Sequence, residues 1–557
     1  MKKLTRLMIF LLAVSLLLTG CSSGQTTPTA GTPQLTGRAK RLYEDRHLIV
    51  ALDGEGRSLD PGASCDGVSG SIAPHMYDGL FGFDETGNLT NLLCEEYTVS
   101  EDMLVYTFNM RKDAVWADGV PITADQVKYA MLRTLNTELN VNHVKYLFFI
   151  ENGEEAFRGE VGHDEVAVEV LDEHTLQITL KAPCLYFPQL LACAVFWPLR
   201  PDFAPEKDLT WGYDPNIAIA SSAYSLESYR MNDRVVLRKN ENYPGADEVF
   251  FEKITFFFMS DMQSQINAYN AEEIDIATRV PTDIRANPLY ANSPDLIDVP
   301  IIVNYYITMS QNENAPDVLK DENVRRALSY AINREELCAI LNGTERPLYG
   351  LVPPRIMNPE THRDFREEGG NLTKYDIEEA KRLLAEAGYP NGEGFPTLTY
   401  ITNPSQRHED TAQVIQNMWK EIGVNIDLQL LEWGIFLTTR NRTTGSFEVA
   451  RHAGAADYFD PDTYLGVYVA NDPSNEAWID DPEYDRLYYA AQNELDVAKR
   501  MQLMHDAERQ LIQEKNWLIP LFSYGNPHLI APGITGYRFD PTGTVIYHNA
   551  SYTPPAQ

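Results

Sequence analysis

Cysteine is scarce in this chain, with six in 557 residues, and the eleven histidines are scattered, with no His-Glu-x-x-His and no pair at helical spacing. That pattern matches no zinc site, so neither a metal centre nor a cofactor is expected. Gly-x-Ser-x-Gly is missing too, which removes the usual signature of a serine hydrolase. Basic residues are few: 46 Lys and Arg face 80 Asp and Glu, a formal net charge of −34. Binding to nucleic acid or to an anionic lipid surface needs the opposite sign. Long apolar runs are absent after the first twenty residues. The run at 7–18 follows Lys2, Lys3 and Arg6 and is too short for a stop-transfer helix but suits a secretory leader.

The leader ends Leu18-Thr19-Gly20-Cys21, which resembles a bacterial lipobox and implies cleavage and lipidation at Cys21. The bland alternative is an ordinary signal peptide with Cys21 incidental. If Cys21 carries lipid, an odd number of cysteines remains, Cys65, Cys94, Cys184, Cys193 and Cys338, so at least one stays unpaired. Cys184 and Cys193 are close enough to bridge but flank an apolar stretch and equally suit buried thiols. Residues 21–40 are mostly Ser, Thr, Gly, Pro and Gln and read as a flexible stalk. The remainder, with 44% hydrophobic residues overall, holds core for about three domain-sized units.

His47 to Leu52 reads as a first strand, and a loop over 62–70 leads to a helix expected to carry Tyr77-Asp78-Gly79-Leu80. Residues 106–110 alternate as a strand, Thr123 to Gln126 is a capping box, and 166–170 with 175–180 form a hairpin about Asp172-Glu173. Strand character returns at 235–237, 254–258 and 301–307. Val324, Ala327, Leu328 and Ala331 make a helical stripe, and Asn333 and Asp376 open two further helices. A helix over 410–422 runs into an alternating strand at 424–430, and a last long helix covers 496–513. Helices alternating with strands in this way indicate an α/β fold.

One stretch, 447–465, organises the rest. A short strand is expected to end at Arg451; small residues follow from Ala453 to Ala456, then Asp457-Tyr458. Asp460-Pro461-Asp462 reads as a helix start, with Asp460 as cap and Asp462 near the dipole. Asp457 has no such role and is either bonded to nearby amides or turned toward a ligand.

This stretch resembles the arginine and Ala-Asp-Tyr signature of the family 5 extracellular solute-binding proteins, the oligopeptide-binding receptors of ABC importers. The ordered blocks Leu59-Asp60-Pro61, Tyr77-Asp78-Gly79-Leu80-Phe81, the run from Tyr106 to Gly119, Asn323-Val324-Arg325-Arg326-Ala327-Leu328 and the run from Ala380 to Tyr389 carry the same resemblance. It implies a periplasmic-binding-protein-like hinged clamp of two lobes with an extra small domain. The first domain would comprise 41–76, 201–302 and 524–557, the second 77–200 and the third 303–523. The implied function is non-catalytic: a monomeric, lipid-anchored receptor on the outer face of the cytoplasmic membrane, or in the periplasm. It captures oligopeptides and hands them to a permease and its ATPase subunits. By position, Asp457 would meet the peptide ammonium, Arg451 the ligand or its carboxylate, Trp433 a wall and Arg440 a carboxylate at some ligand lengths. Arg451 in a salt bridge within its lobe and Arg440 on solvated surface are the plainer readings. Tyr458 follows the key aspartate; Tyr306 and Tyr524 lie near the cleft floor or in the core; His143 falls near a family tyrosine that touches ligand. Where the family often has tryptophan this chain has Gly454, which implies a wider pocket for the first side chain.

Two rivals stand beside this reading. The same scaffold serves for metal chelates, haem or oligosaccharides. A secreted hydrolase using Asp457, Asp460 and Asp462 as its carboxylates is the other.

Overall fold

The computed structural model describes residues 35–555 except 57, 64–65, 140, 282–283, 342, 457 and 471. The expectations for Cys21, Cys65 and Asp457 therefore lie outside the described residues, as does the leader. Among those described, no helix is long and apolar enough to cross a membrane.

A mixed sheet runs through both lobes. Its strands are β1 (His47–Leu52), β2 (Tyr224–Arg230), β3 (Arg234–Lys239), β4 (Lys253–Phe258), β5 (Ile276–Ala277), β6 (Leu296–Met309), β7 (Leu398–Thr402), β8 (Ile426–Leu430), β9 (Val449–Ala455) and β10 (Leu518–Ile530). They lie in the order β8-β7-β9-β6-β10-β5-β1-β4-β3-β2, with the two-residue strand Arg346–Pro347 added against β10. β1 is almost continuously apolar because it is parallel to both neighbours and buried.

The long strands β6 and β10 make this sheet a clamp. Residues 296–299 of β6 pair with 526–529 of β10, and 304–308 pair with 518–523, the register shifting between Pro300 and Asn304. On one side of that break Leu48, Phe256 and Leu529 share a core; on the other, Tyr305, Val324, Trp419 and Phe522 share a second, and Tyr306, Tyr464 and Met504 a third. Two extended strands with interrupted pairing are thus the covalent link between separately packed lobes, the arrangement expected of a hinge.

The small domain is a four-stranded antiparallel sheet, Cys94–Val99, Val105–Met110, Thr175–Thr179 and Val168–Asp172 in that order. The capping box of Thr123 and Gln126 opens helix Ala124–Thr134, whose Arg133 forms a fully buried bidentate pair with Asp60 at 2.7 and 3.2 Å. Asp60 thereby ties the small domain to the first lobe.

Several boundaries differ from expectation. A helix over Gly37–Tyr43 takes in residues 37–40 of the expected stalk; the next α-helix is Gly67–Met76 and stops before Tyr77, because residues 77–80 lead into strand Phe81–Phe83. Asp78 there is buried and accepts from the Ser222 hydroxyl at 2.9 Å; burial pushes its carboxyl up to about 6. The helix expected from residue 410 begins at Gln406, one turn earlier. β9 continues to Ala455 because Ala453, Gly454 and Ala455 find partners in Tyr305, Asn304 and Val303. Cys184 is a buried thiol not bridged to Cys193.

Candidate functional site

β9 sets Arg451 opposite Ile307 and turns its side chain toward helix Trp433–Arg440. That helix is capped by the Glu432 carboxylate, which accepts from the Gly434 and Ile435 amides at 2.8 and 3.4 Å. The Arg451 guanidinium lies 4.9 Å from the Phe436 ring centre and 5.5 Å from that of Trp433, whose indole is 49% exposed. Its Nε donates to Asn403 Oδ1 at 2.9 Å, and a second nitrogen reaches the same oxygen. Among the described residues no carboxylate pairs with this buried cation, so the salt bridge within the lobe is not found there.

Around it stand Tyr305, Tyr400, Tyr524 and His408. Burial and then the charges of Arg451 and Arg407 lower the His408 imidazole to about 4, so the ring is neutral at pH 7, and its Nδ1 has no hydrogen-bond partner. Arg407 lies over the Tyr524 ring at 5.1 Å and pairs with Glu345 at 2.9 Å. Of these groups His408, Arg407, Glu345 and Tyr524 line a cavity of about 800 Å³, with Arg279 and Val280 from the other lobe and Asn526 at the crossover; Arg451 lies behind that lining.

Arg440 is neither solvated nor open to a ligand here. It is buried, its Nε donates to Glu476 at 2.7 Å, and another nitrogen approaches the Arg451 carbonyl at 3.4 Å. Burial opposes the Glu476 charge, but a hydrogen bond from His452 and the Arg440 guanidinium outweigh it and hold the carboxyl below its ordinary range. Tyr306 belongs to the core: its ring stacks on His452 at 4.8 Å and its hydroxyl meets that of Tyr468. Gly454 donates its amide to Asn304 Oδ1 at 2.7 Å; a Cβ would sit 3.1 Å from that oxygen, so a side chain there needs only a slight shift.

Tyr458 and His143 come together through rings. Tyr458 stacks on Tyr186 at 5.0 Å with the planes 5° apart and meets Tyr146 edge-on at 6.5 Å, and His143 stacks on Tyr146 at 5.2 Å.

The two aspartates assigned to helix capping need correction. Pro461, expected in the first helical position with Asp460 as cap, itself holds the N-cap of helix Asp462–Leu465; Asp460 stands before it, accepts from the Asp462 amide at 3.0 Å and holds Arg500 in a buried bidentate pair at 2.7 and 2.8 Å. Asp462 is buried and accepts from the hydroxyls of Tyr186 at 3.1 Å, Tyr488 at 2.6 Å and Tyr458, and from the Gln492 amide. Burial and then the neighbouring Asp460 charge raise its carboxyl above the usual range.

Sequence reasoning missed Asn403, His408 and Tyr305 at the arginine and Tyr186 at the aspartate. Asn403 and Tyr186 are brought in from 48 and 276 positions away, and no local pattern marks either. His408 carried one usable signal, its place in the first turn of an amphipathic helix.

Residues 88–476 match the family model for bacterial extracellular solute-binding proteins, family 5. The dipeptide-binding protein DppE of Bacillus subtilis is 28% identical over 540 residues, covering 96% of each chain. The periplasmic oligopeptide-binding protein OppA of Escherichia coli is 30% identical over 508 residues, 89% of this chain and 90% of its own. Among solved structures, the periplasmic murein tripeptide-binding protein MppA in its unliganded open form superposes with a TM-score of 0.79 at 26% identity, covering 91% of this chain and 97% of that one. A hinged α/β clamp with a small extra domain, and a match over most of its length, place this chain in family 5 of the bacterial extracellular solute-binding proteins.

Proposed function

We propose that this protein is a non-catalytic peptide receptor of an ABC importer, which holds a peptide by its backbone and terminal charges and closes over it. One observation carries the reading: Arg451 is a buried cation whose described partner is a neutral amide, set behind His408 and Tyr524, which line a cavity between the lobes. A buried charge left without a counter-ion is costly, and a peptide carboxylate supplies the missing partner with the bidentate geometry a guanidinium favours. His408 and Asn403 are added to that end of the site; Trp433 walls it and Tyr524 floors it. Arg440 acts through Glu476 to hold the strand carrying Arg451. Asp457, by its place in the family signature, takes the ammonium, and Gly454 leaves room for the first side chain. Backbone groups of the cleft pair with the peptide as an added strand. Likeness to an unliganded open form supports closure on binding.

The hydrolase reading loses support because Asp460 and Asp462 are consumed by Arg500 and by three phenols. Division of the chain into 41–76, 201–302 and 524–557, 77–200 and 303–523 belongs to this proposal. So does a lipid anchor on Cys21: Cys21→Ser should release the protein from membranes, and a wild type recovered wholly as soluble material would refute the anchor.

The ammonium end is tested with free and N-acetylated alanine peptides of two to five residues. Acetylation should cost wild type about 30-fold or more in affinity and Asp457→Asn much less, because both changes remove one contact. Equal losses in the two proteins would return Asp457 to a structural role.

A further inference from the structure

A second cavity, of about 520 Å³, is built from the first lobe. It opens beyond the carboxyl ends of the parallel strands β1 and β5, where Asp53 and Glu55 follow Leu52 and Arg279 follows Ala277. In open α/β sheets that end of the strands is where ligands are held. Arg279 and Asn526 line both this cavity and the one between the lobes, so the two adjoin at the crossover. Their polar linings differ in sign. Here three carboxylates, Asp53, Glu55 and Asp66, stand against one guanidinium, that of Arg279, 3.3 Å from Asp53. Glu55 accepts from the Tyr229 hydroxyl, and Asp66 accepts from the Val68 and Ser69 amides at 3.1 and 2.9 Å at the start of helix Gly67–Met76. His528, 2% exposed, lines the same space. Its Nδ1 donates to the Asn526 carbonyl at 3.0 Å, which leaves Nε2 as an acceptor, and no described residue donates to it. Burial lowers this imidazole to about 4, so the ring is neutral at pH 7.

We infer that this first-lobe cavity is a subsite for a cationic side chain, the ammonium of lysine or the guanidinium of arginine, so that the receptor favours peptides carrying a basic residue. The inference rests on the peptide-receptor reading and deepens it by naming the class of peptide. A buried acceptor without a donor is costly, and the His528 nitrogen is satisfied only by a group that brings N–H. Ammonium and guanidinium are donors alone, three N–H and five, which matches a lining rich in carboxylate and imidazole acceptors. Asp53 is 41% exposed in its side chain, so a cation gains its charge without losing all of its hydration. A glutamate side chain in the same place would meet like charges and an imidazole with nothing to donate. The net charge of −34 also draws cationic peptides toward the surface before they bind.

Calorimetry on alanine tripeptides carrying one lysine, arginine, norleucine or glutamate, scanned through the three positions, tests this. Norleucine matches the lysine stem without its charge, and all the peptides share the same terminal groups, so the ratio of affinities reads the side chain alone. At one position or more, lysine and arginine should bind wild type about tenfold more tightly than norleucine, and glutamate more weakly. Asp53→Asn combined with Glu55→Gln should bring the lysine-to-norleucine ratio to within about twofold of unity. Asp410→Asn, which alters the cavity between the lobes, should leave that ratio as it is. A wild-type ratio near unity at every position would overturn the inference, as would a ratio that survives the double variant or falls equally in Asp410→Asn. If the double variant loses lysine and norleucine peptides alike with the ratio kept, the cavity holds the terminal ammonium instead, and the side-chain assignment is refuted. If wild type binds none of the peptides, the receptor reading has failed, and the cavity is tested by itself with n-butylammonium, followed through the nitrogen NMR signal of His528 Nε2. A saturable shift in wild type and not in the double variant upholds the cation site; no saturable shift, or the same shift in both, refutes it. Should the double variant not fold, Asp53→Asn and Glu55→Gln taken singly carry the same decision, each lowering the ratio.

Discussion

Arg451 and Asp462 are buried charges in one stretch of chain, and their surroundings are opposite. The arginine has one neutral partner and lies behind His408 and Tyr524, which line a cavity; the aspartate has four donors on its two oxygens and is enclosed. Asp460, two residues before, is matched to Arg500 on both oxygens. A buried charge completed from within the protein is a feature of folding, whereas one left incomplete beside open space is a place for something else to bind. The contrast separates structural from functional charge within a single short stretch of sequence.

The largest effect that would break this contrast belongs to the completed pair. Asp460→Ala strands the Arg500 guanidinium, 3% exposed, and should cost roughly 3–5 kcal/mol in urea unfolding. A loss under about 1 kcal/mol would mean that the pair is no better satisfied than Arg451.

Arg451→Gln should do the reverse. Stability should hold or rise slightly, since an unpaired buried charge is removed, while affinity for peptides with a free carboxylate should fall by roughly 2–4 kcal/mol, about 30- to 1000-fold. C-terminally amidated peptides should bind wild type and variant alike. A strongly destabilised variant would show that Arg451 belongs with Asp460 as a folding charge.

A smaller effect sharpens the comparison. His408 sits at about 4 because burial disfavours its cation and because Arg451 and Arg407 repel it. A bound carboxylate offsets those charges and raises the imidazole pKa in the complex, so binding takes up a proton. Affinity for free-carboxylate peptides should therefore strengthen as pH falls from about 6 toward 4, by at most roughly tenfold per pH unit. His408→Gln and amidated peptides should both flatten the profile, and a proton release in calorimetry would contradict it.

The elements themselves were largely legible. Period-two alternation at 106–110 and the helical stripe through Val324 and Leu328 are consequences of which face each residue buries, and both elements are found where the pattern puts them. The ends were less so. β9 reads as ending at Arg451 because Ala453, Gly454 and Ala455 carry no alternation, yet they are strand because β6 lies beside them. Local chemistry likewise gave Asp462 a helix dipole to complement, and it lies at the first turn of a short helix. Its partners Tyr186 and Tyr488 are invisible at that range.

By itself the sequence determined the class of molecule. Composition argued against nucleic acid, ordered motifs led to the family, and Arg451 and Trp433 were singled out by position within it. Tertiary structure alone decided what each charge is for. Capping, pairing and dipole effects depend on neighbours within a turn or two and can be read along the chain. Whether a buried charge is completed depends on groups brought from tens to hundreds of residues away: Asn403 to Arg451, Glu476 to Arg440, Arg500 to Asp460 and Tyr186 to Asp462. Those meetings are set by how the strands cross between lobes, which no window of sequence contains.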